Sequence, residues 1–136
     1  MPTVYLQLPW PPSVNTYWRH IAMHGRPRVL ISKAGREYRQ AVCRAAVAAH
    51  ACKQLAGDLE VSIVAYPPDR RVRDADNLLK AVLDGMQAAG VYLSDSQITT
   101  LSITKSRTLH PGGLLCVGVT LVESAEWRGA LREDAA

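Results

Sequence analysis

The sequence predicts a single α+β domain, a two-layer structure in which a mixed β-sheet of about four strands packs against two helices in the order β-α-β-α-β-β. Three observations predict it. Thr3–Leu8 and Leu59–Tyr66 alternate apolar and polar residues with the period of two that belongs to half-buried strands. Residues 33–56 and 76–89 carry their apolar residues at three- and four-residue steps, the spacing of one helix face. Two further apolar runs, Ile98–Thr108 and Leu114–Val122, supply the last strands.

Each element has a local reason. Val4, Leu6 and Leu8 share one face of the first strand, and Pro9-Trp10-Pro11-Pro12 ends it because prolines remove amide donors. No period persists from Ser13 to Ile31, which reads as an irregular basic loop marked by Asn15, Gly25 and Pro27. Ser32 is placed to cap a helix over 33–56, whose face of Tyr38, Ala41, Val42, Ala45, Ala46, Ala49 and Cys52 suits close packing, with Gly57 as its C-cap. Leu59–Tyr66 is closed by Pro67-Pro68. Leu78, Leu79, Val82, Leu83 and Met86 define the second helix, with Asp76 at the N-cap and Gly90 at C′. The last two strands, joined through Leu109-His110-Pro111-Gly112-Gly113, read most simply as a hairpin, and a frayed helix or tail follows Ser124.

With 136 residues, 48% of them hydrophobic, the chain is expected to be one domain, residues 123–136 forming its tail. No apolar run approaches the ~20 residues of a membrane span, and the N-terminus lacks a secretory pattern, so a cytoplasmic protein with no membrane partner is expected. Cys43, Cys52 and Cys116 match no zinc spacing and are expected to be buried reduced thiols. No Gly-rich loop resembles a nucleotide cradle, so no nucleotide cofactor is expected, and no Gly-x-Ser-x-Gly supports hydrolase chemistry of the Ser/His/Asp type.

Charge is unevenly spread. The first 57 residues carry eight Lys/Arg against Glu37 alone, whereas residues 58–97 carry seven acids against Arg70, Arg71, Arg73 and Lys80. A basic N-terminal region beside a carboxylate cluster suits a polyanion, because phosphate contacts supply most non-specific nucleic-acid affinity. The plain alternative is a solvated basic helix face. The densest chemistry lies in Pro68-Asp69-Arg70-Arg71-Val72-Arg73-Asp74-Ala75-Asp76-Asn77-Leu78-Leu79-Lys80. Two carboxylates at i, i+2 on a strand-to-helix junction can converge on a hard cation such as Mg²⁺, while arginines and a lysine offer charge to phosphate. Alternatively Asp76 caps the helix, Asp76, Lys80 and Asp84 form surface ion pairs, and Asp74 is a turn residue.

Three ordered blocks resemble the RusA-type Holliday junction resolvases, small dimeric Mg²⁺-dependent endonucleases. The first is Leu8-Pro9-Trp10-Pro11-Pro12-Ser13-Val14-Asn15-Thr16-Tyr17-Trp18-Arg19-His20, the second runs from Pro68 to Asp84, and the third is Gly90-Val91-Tyr92-Leu93-Ser94-Asp95-Ser96-Gln97-Ile98. The resemblance covers the chain from about Tyr5 to Val122 and implies a RusA-like fold. It implies that Asp74, Asp76 and Asp95 hold one or two Mg²⁺ ions, with Mn²⁺ able to substitute, and that Lys80 is the catalytic lysine. Family members often carry two adjacent acids where this chain has Ser94-Asp95. The implied activity is paired symmetric nicking of four-way junction DNA by a homodimer in recombination, repair or phage DNA processing; the alternative is a junction- or duplex-binding module that has lost cleavage. Arg70, Arg71, Arg73, Arg19, His20, Arg26 and Arg28 would track the DNA backbones, Asn77 would support them beside the ligand pair, and Trp18 or Tyr17 could stack on or wedge between bases.

One geometric tension accompanies that ligand set. A helix of about 14 residues rises about 20 Å, and five extended residues from Gly90 to Asp95 span about 17 Å. Return to the same end is barely feasible, so either the helix is shorter or tilted, or Asp95 lies at the site of a partner subunit.

Overall fold

The computed structural model describes residues 3–122, so the tail expected after Ser124 lies outside the described residues. The chain runs β1 (Thr3–Pro9), a one-turn helix α1 (Val14–Tyr17), β2 (Trp18–Met23), β3 (Arg26–Ile31), α2 (Lys33–Ala48), β4 (Leu59–Tyr66), α3 (Asp76–Ala88), a 3₁₀ turn (Asp95–Gln97), β5 (Ile98–Lys105) and β6 (Leu114–Leu121). The main sheet is mixed, with strand order β1-β6-β4-β5; β4 and β5 are parallel and the other pairs antiparallel. Its inward residues Leu6, Leu8, Val61, Ile63, Leu115, Val117 and Val119 meet Tyr38, Val42 and Ala46 of α2 and Leu78, Val82 and Met86 of α3 in one core. The α+β, two-layer architecture is therefore as expected. No helix among the described residues is long and apolar enough to cross a membrane.

The expected hairpin of the last two strands does not form. β6 crosses to lie between β1 and β4, while β5 takes the far edge as the parallel partner of β4. Burial explains the exchange: Leu115, Val117 and Val119 need neighbours on both sides, whereas no residue of Ile98–Lys105 is fully buried and its Thr and Ser tolerate a solvent-facing edge.

Residues 13–31 are also more ordered than an irregular loop. Ser13 caps α1 by accepting from Thr16 N–H, and β2 and β3 then form a two-stranded ribbon turning at His24-Gly25, both at positive φ (53° and 73°). Most of the ribbon is exposed, so no hydrophobic alternation announces it. Nor does α2 reach residue 56: His50 adopts φ 52° and Ala51 N–H bonds Ala46 C=O at 2.8 Å, which turns the chain inward to bury Ala51. Cys43 and Cys52 are free thiols but exposed, and Cys116 is half-buried, which corrects the expectation that all three are buried.

The ribbon base is seated on α2. Ser32 Oγ donates to Thr16 C=O at 2.6 Å and accepts from Gly35 N–H at 3.0 Å, while Ser32 N–H bonds Tyr17 C=O. A Cβ at Gly35 would stand 2.8 Å from the Tyr17 carbonyl oxygen and 2.7 Å from Ile31 Cγ1. Gly35→Ala is therefore expected to destabilise the fold by about 1–3 kcal/mol, measured as a lowered urea midpoint; an unchanged midpoint would show that the ribbon is not seated this way.

Candidate active site

The start of α3 leaves its acids unspent. Ala75, not Asp76, occupies the N-cap position, with helical φ and ψ and no side-chain cap, so Asp76 is the first helical residue. Asp74, Asp76 and Lys80 are exposed, and among the described residues none makes a side-chain hydrogen bond or ion pair. The capping and surface-pairing alternatives are thereby overturned. Asp74 and the half-buried Asn77 line a hollow of about 280 Å³ with Trp10, Ser13, Val72 and Arg73. A larger apolar hollow of about 640 Å³, lined by Tyr5 and Gln7 of β1, Cys116 of β6, Ser62 and Val64 of β4 and the end of α2, has no charged side chain in its lining and is no phosphate site.

Lys80 faces an aromatic ring instead of an acid, its Nζ lying 5.7 Å from the Trp18 ring centroid. Trp18 stands edge-on to Tyr17, with centroids 5.0 Å apart. Tyr17 is fully buried, and its hydroxyl donates to Asp84 Oδ2. It is therefore not available to stack on or wedge between bases, which corrects that expectation. Arg39 also binds Asp84 Oδ2, through Nε at 2.7 Å and Nη2 at 2.6 Å. Burial acts to raise the Asp84 pKa, but the Arg39 and Tyr17 hydrogen bonds, aided by the charges of Arg39 and Lys80, outweigh it and hold the carboxyl below its usual value. Burial and the Asp84 bond push the Tyr17 hydroxyl up to about 12. Sequence reading missed this cluster. Asp84 four residues beyond Lys80 was a visible signal, but its partners Tyr17 and Arg39 are 67 and 45 residues away.

Ahead of α3, Asp69 staples the arginine loop. Its Oδ1 accepts from Arg71 N–H at 2.9 Å and pairs with Arg73 Nη1 at 2.8 Å. Arg73 also lies 5.5 Å over the Trp10 ring, and Lys105 Nζ donates to the Arg73 carbonyl. Arg73 is thus half-buried and engaged, whereas Arg70 and Arg71 are exposed. On the ribbon, the pairs Arg19↔Leu30, Ile21↔Arg28 and Met23↔Arg26 put all three arginines on one face, while His20, opposite Val29, lies on the other. Two-residue steps space those arginines by about 7 Å along a strand.

Asp95 is placed elsewhere. Its N–H bonds Gln87 Oε1 at 2.9 Å, at the C-terminal turn of α3, and eleven helical residues from Asp76 to Gln87 rise about 16 Å. The chain does not double back after Gly90 because Tyr92 is buried, with its hydroxyl on Leu83 C=O at 2.6 Å, and because Gln97 ties Ser94 N–H to the Leu55 and Gly57 carbonyls. Ser94 Oγ accepts from Ser96 N–H at 3.2 Å and so helps shape the turn that begins with Asp95. Among the described residues, no group of three or more His, Cys, Asp or Glu gathers to hold a metal ion. Asp74 and Asp76 alone nonetheless suit magnesium, which is commonly bound through one or two carboxylates, with waters and phosphate oxygens completing its shell.

Residues 9–115 match the family described as endodeoxyribonuclease RusA. The chain is 39% identical over 114 residues to crossover junction endodeoxyribonucleases of Enterobacteria phage 82 and Escherichia coli K12, covering 84% of this chain and 92% of each relative. The enzyme of that name from Shigella sonnei is 40% identical over the same length.

Proposed function

This chain belongs to the RusA endodeoxyribonuclease family, and from that membership and the site geometry we propose that it is a magnesium-dependent endonuclease that resolves Holliday junctions by paired symmetric nicks. The observation that carries the proposal is the pair of unpartnered carboxylates Asp74 and Asp76 at the start of α3, with Lys80 one turn on and the arginine loop just before. A chain that had kept only DNA binding would have no use for two exposed acids beside its cations, because they repel phosphate. The binding-module alternative is therefore set aside.

Asp74 and Asp76 would hold the metal, with Mn²⁺ as a substitute. When bound there, the ion supplies Lewis-acid charge and a water of lowered pKa. Lys80 brings a compact positive charge to the phosphate undergoing attack, and the Trp18 ring holds its ammonium until an anion displaces it. Arg70 and Arg71, with Arg19, Arg26 and Arg28 on one ribbon face, steer and hold the backbones. His20 contacts DNA from the opposite ribbon face, and Asn77 supports the strand beside Asp74.

With about 16 Å of helix between Asp76 and Gln87, where Asp95 is anchored, Asp95 of the partner subunit completes each site in a homodimer. Such a dimer matches the near two-fold symmetry of a four-way junction and its two opposed cuts. The enzyme would act in the cytoplasm, where recombining bacterial or phage DNA lies.

The direct test is incubation with a labelled mobile four-way junction and Mg²⁺. Symmetric paired nicks, abolished by a chelator, are expected; binding with no cleavage defeats the assignment. A mixing experiment tests the shared site. Asp76→Asn and Asp95→Asn dimers should each be inactive. Subunit exchange should then restore single nicks, since one of the two sites in the mixed dimer is intact when Asp95 acts across the interface. If Asp95 serves its own subunit, mixing restores nothing.

A further inference from the structure

A basic cleft adjoins this site. The loop from Asp69 to Arg73 forms one wall of a cleft of about 560 Å³, whose other wall is Lys105, Ser106, Arg107 and Leu109, with Trp10 and Pro67 between. The walls come together because β5 pairs in parallel with β4, Ala65 opposite Lys105, and because Ser106 N–H bonds Ala65 C=O at 2.8 Å and His110 N–H bonds Pro67 C=O at 3.0 Å. Five cations therefore surround one cleft, Arg70, Arg71, Arg73, Lys105 and Arg107, against the single carboxylate Asp69, which is spent on Arg73 and Arg71. That local surplus of four positive charges favours an anion in the cleft.

We infer that this cleft binds the backbone of the DNA strand flanking the scissile phosphate, with Lys105 and Arg107 as phosphate contacts. The inference rests on the endonuclease reading and extends it to residues that the arginine loop does not contain. Continuity is the first reason. Trp10, Val72 and Arg73 line both this cleft and the hollow that holds Asp74 and Asn77, so a strand crossing Asp74 passes over Arg73 directly into the cleft. Availability is the second. Arg70 and Arg107 make no hydrogen bond or ion pair among the described residues, and Lys105 meets only the Arg73 carbonyl. Rigidity is the third. The Asp69 staple, the Trp10–Arg73 stack and the Lys105 bond hold the loop open before any ligand arrives. Gly113, at φ +80°, lies against Trp10 so closely that a Cβ there would come within 2.6 Å of the Trp10 Cβ.

Arg107 is the clean probe, because Lys105 also orders the loop. Binding of the full chain to a labelled four-way junction is measured in magnesium-free buffer across a salt series, with inorganic phosphate as competitor in a separate arm. Arg107→Gln and Arg70→Gln should each lower the slope of log K against log[salt] by about 0.9, with unchanged thermal midpoints, and Arg107→Lys should restore the parent slope. An Arg107→Gln slope equal to the parent overturns the inference, whatever Arg70→Gln shows. So does an Arg107→Gln effect confined to inorganic phosphate, which would make the cleft a small-anion site. Wild-type nicking with Mg²⁺, run alongside, reads the endonuclease assignment separately: the slopes judge the cleft whether or not nicks appear.

Discussion

Asp76→Asn is expected to lower the junction-nicking rate by at least about 100-fold, the upper range seen even for groups one step removed from a metal, while junction binding is retained or tightened. The fold gives no reason for any other loss. Asp76 is exposed, is not the cap of α3 and makes no side-chain bond, so an isosteric amide leaves packing untouched. Its only structural contribution is a favourable carboxylate in the first helical turn, worth about 0.3–1 kcal/mol. Removing a negative charge beside bound phosphate helps affinity instead of harming it, so activity and binding should move apart. Asp74→Asn should behave alike. Nicking by the Asp76→Asn protein at a rate within a few-fold of the parent, in single-turnover assays with saturating enzyme, would sink the assignment of these acids to the metal.

Asp84→Ala should be the most damaging surface-accessible change to stability, at about 2–4 kcal/mol. Three elements hang on that one carboxylate: the end of α1 through Tyr17, α2 through Arg39, and α3 itself. Truncation leaves a fully buried tyrosine hydroxyl without its acceptor and a guanidinium without its counter-charge. The side chains of Asp84 and Arg39 are 19% and 37% exposed, so water recovers part of the loss, and the estimate sits below that for a dry ion pair. The pH dependence has a definite sign. The Asp84 pKa is lower in the folded chain, so its contribution is complete above the ordinary value of 3.8 and is lost as pH falls through the folded value. Asp84→Asn should therefore be less stable than the parent at neutral pH, and the difference should shrink in acid below pH about 4. Equal urea midpoints for parent and Asp84→Ala at pH 7 would refute the structural role.

Asp84 also shows where linear reading stops. Its i−4 relation to Lys80 suggests a surface ion pair, yet the carboxylate turns to Tyr17 and Arg39 while Lys80 takes the Trp18 ring. Helical spacing sets which groups are neighbours, but the strongest partner wins the contact, and the arginine offers a hydrogen bond together with its charge. The ribbon of Trp18–Met23 and Arg26–Ile31 illustrates a different limit. Its pairing is carried by backbone hydrogen bonds with most side chains in solvent, so apolar and polar residues need not alternate and the periodicity on which strand recognition depends is missing.

The sequence by itself determined the two helices and the strands Thr3–Pro9 and Leu59–Tyr66, because each buries one face and so had to write its period into the residues. It also determined that Asp74, Asp76 and Lys80 lie within seven consecutive residues at the start of α3. Only the tertiary structure decided that β6 enters the middle of the sheet, that Asp95 sits at the far end of α3 from Asp76, and that Lys105 and Arg107 stand across a cleft from Arg70. The physical reason is one of range. Local spacing is dictated by backbone geometry over a few residues, whereas strand order and the meeting of distant charges are settled by which surfaces can be buried together.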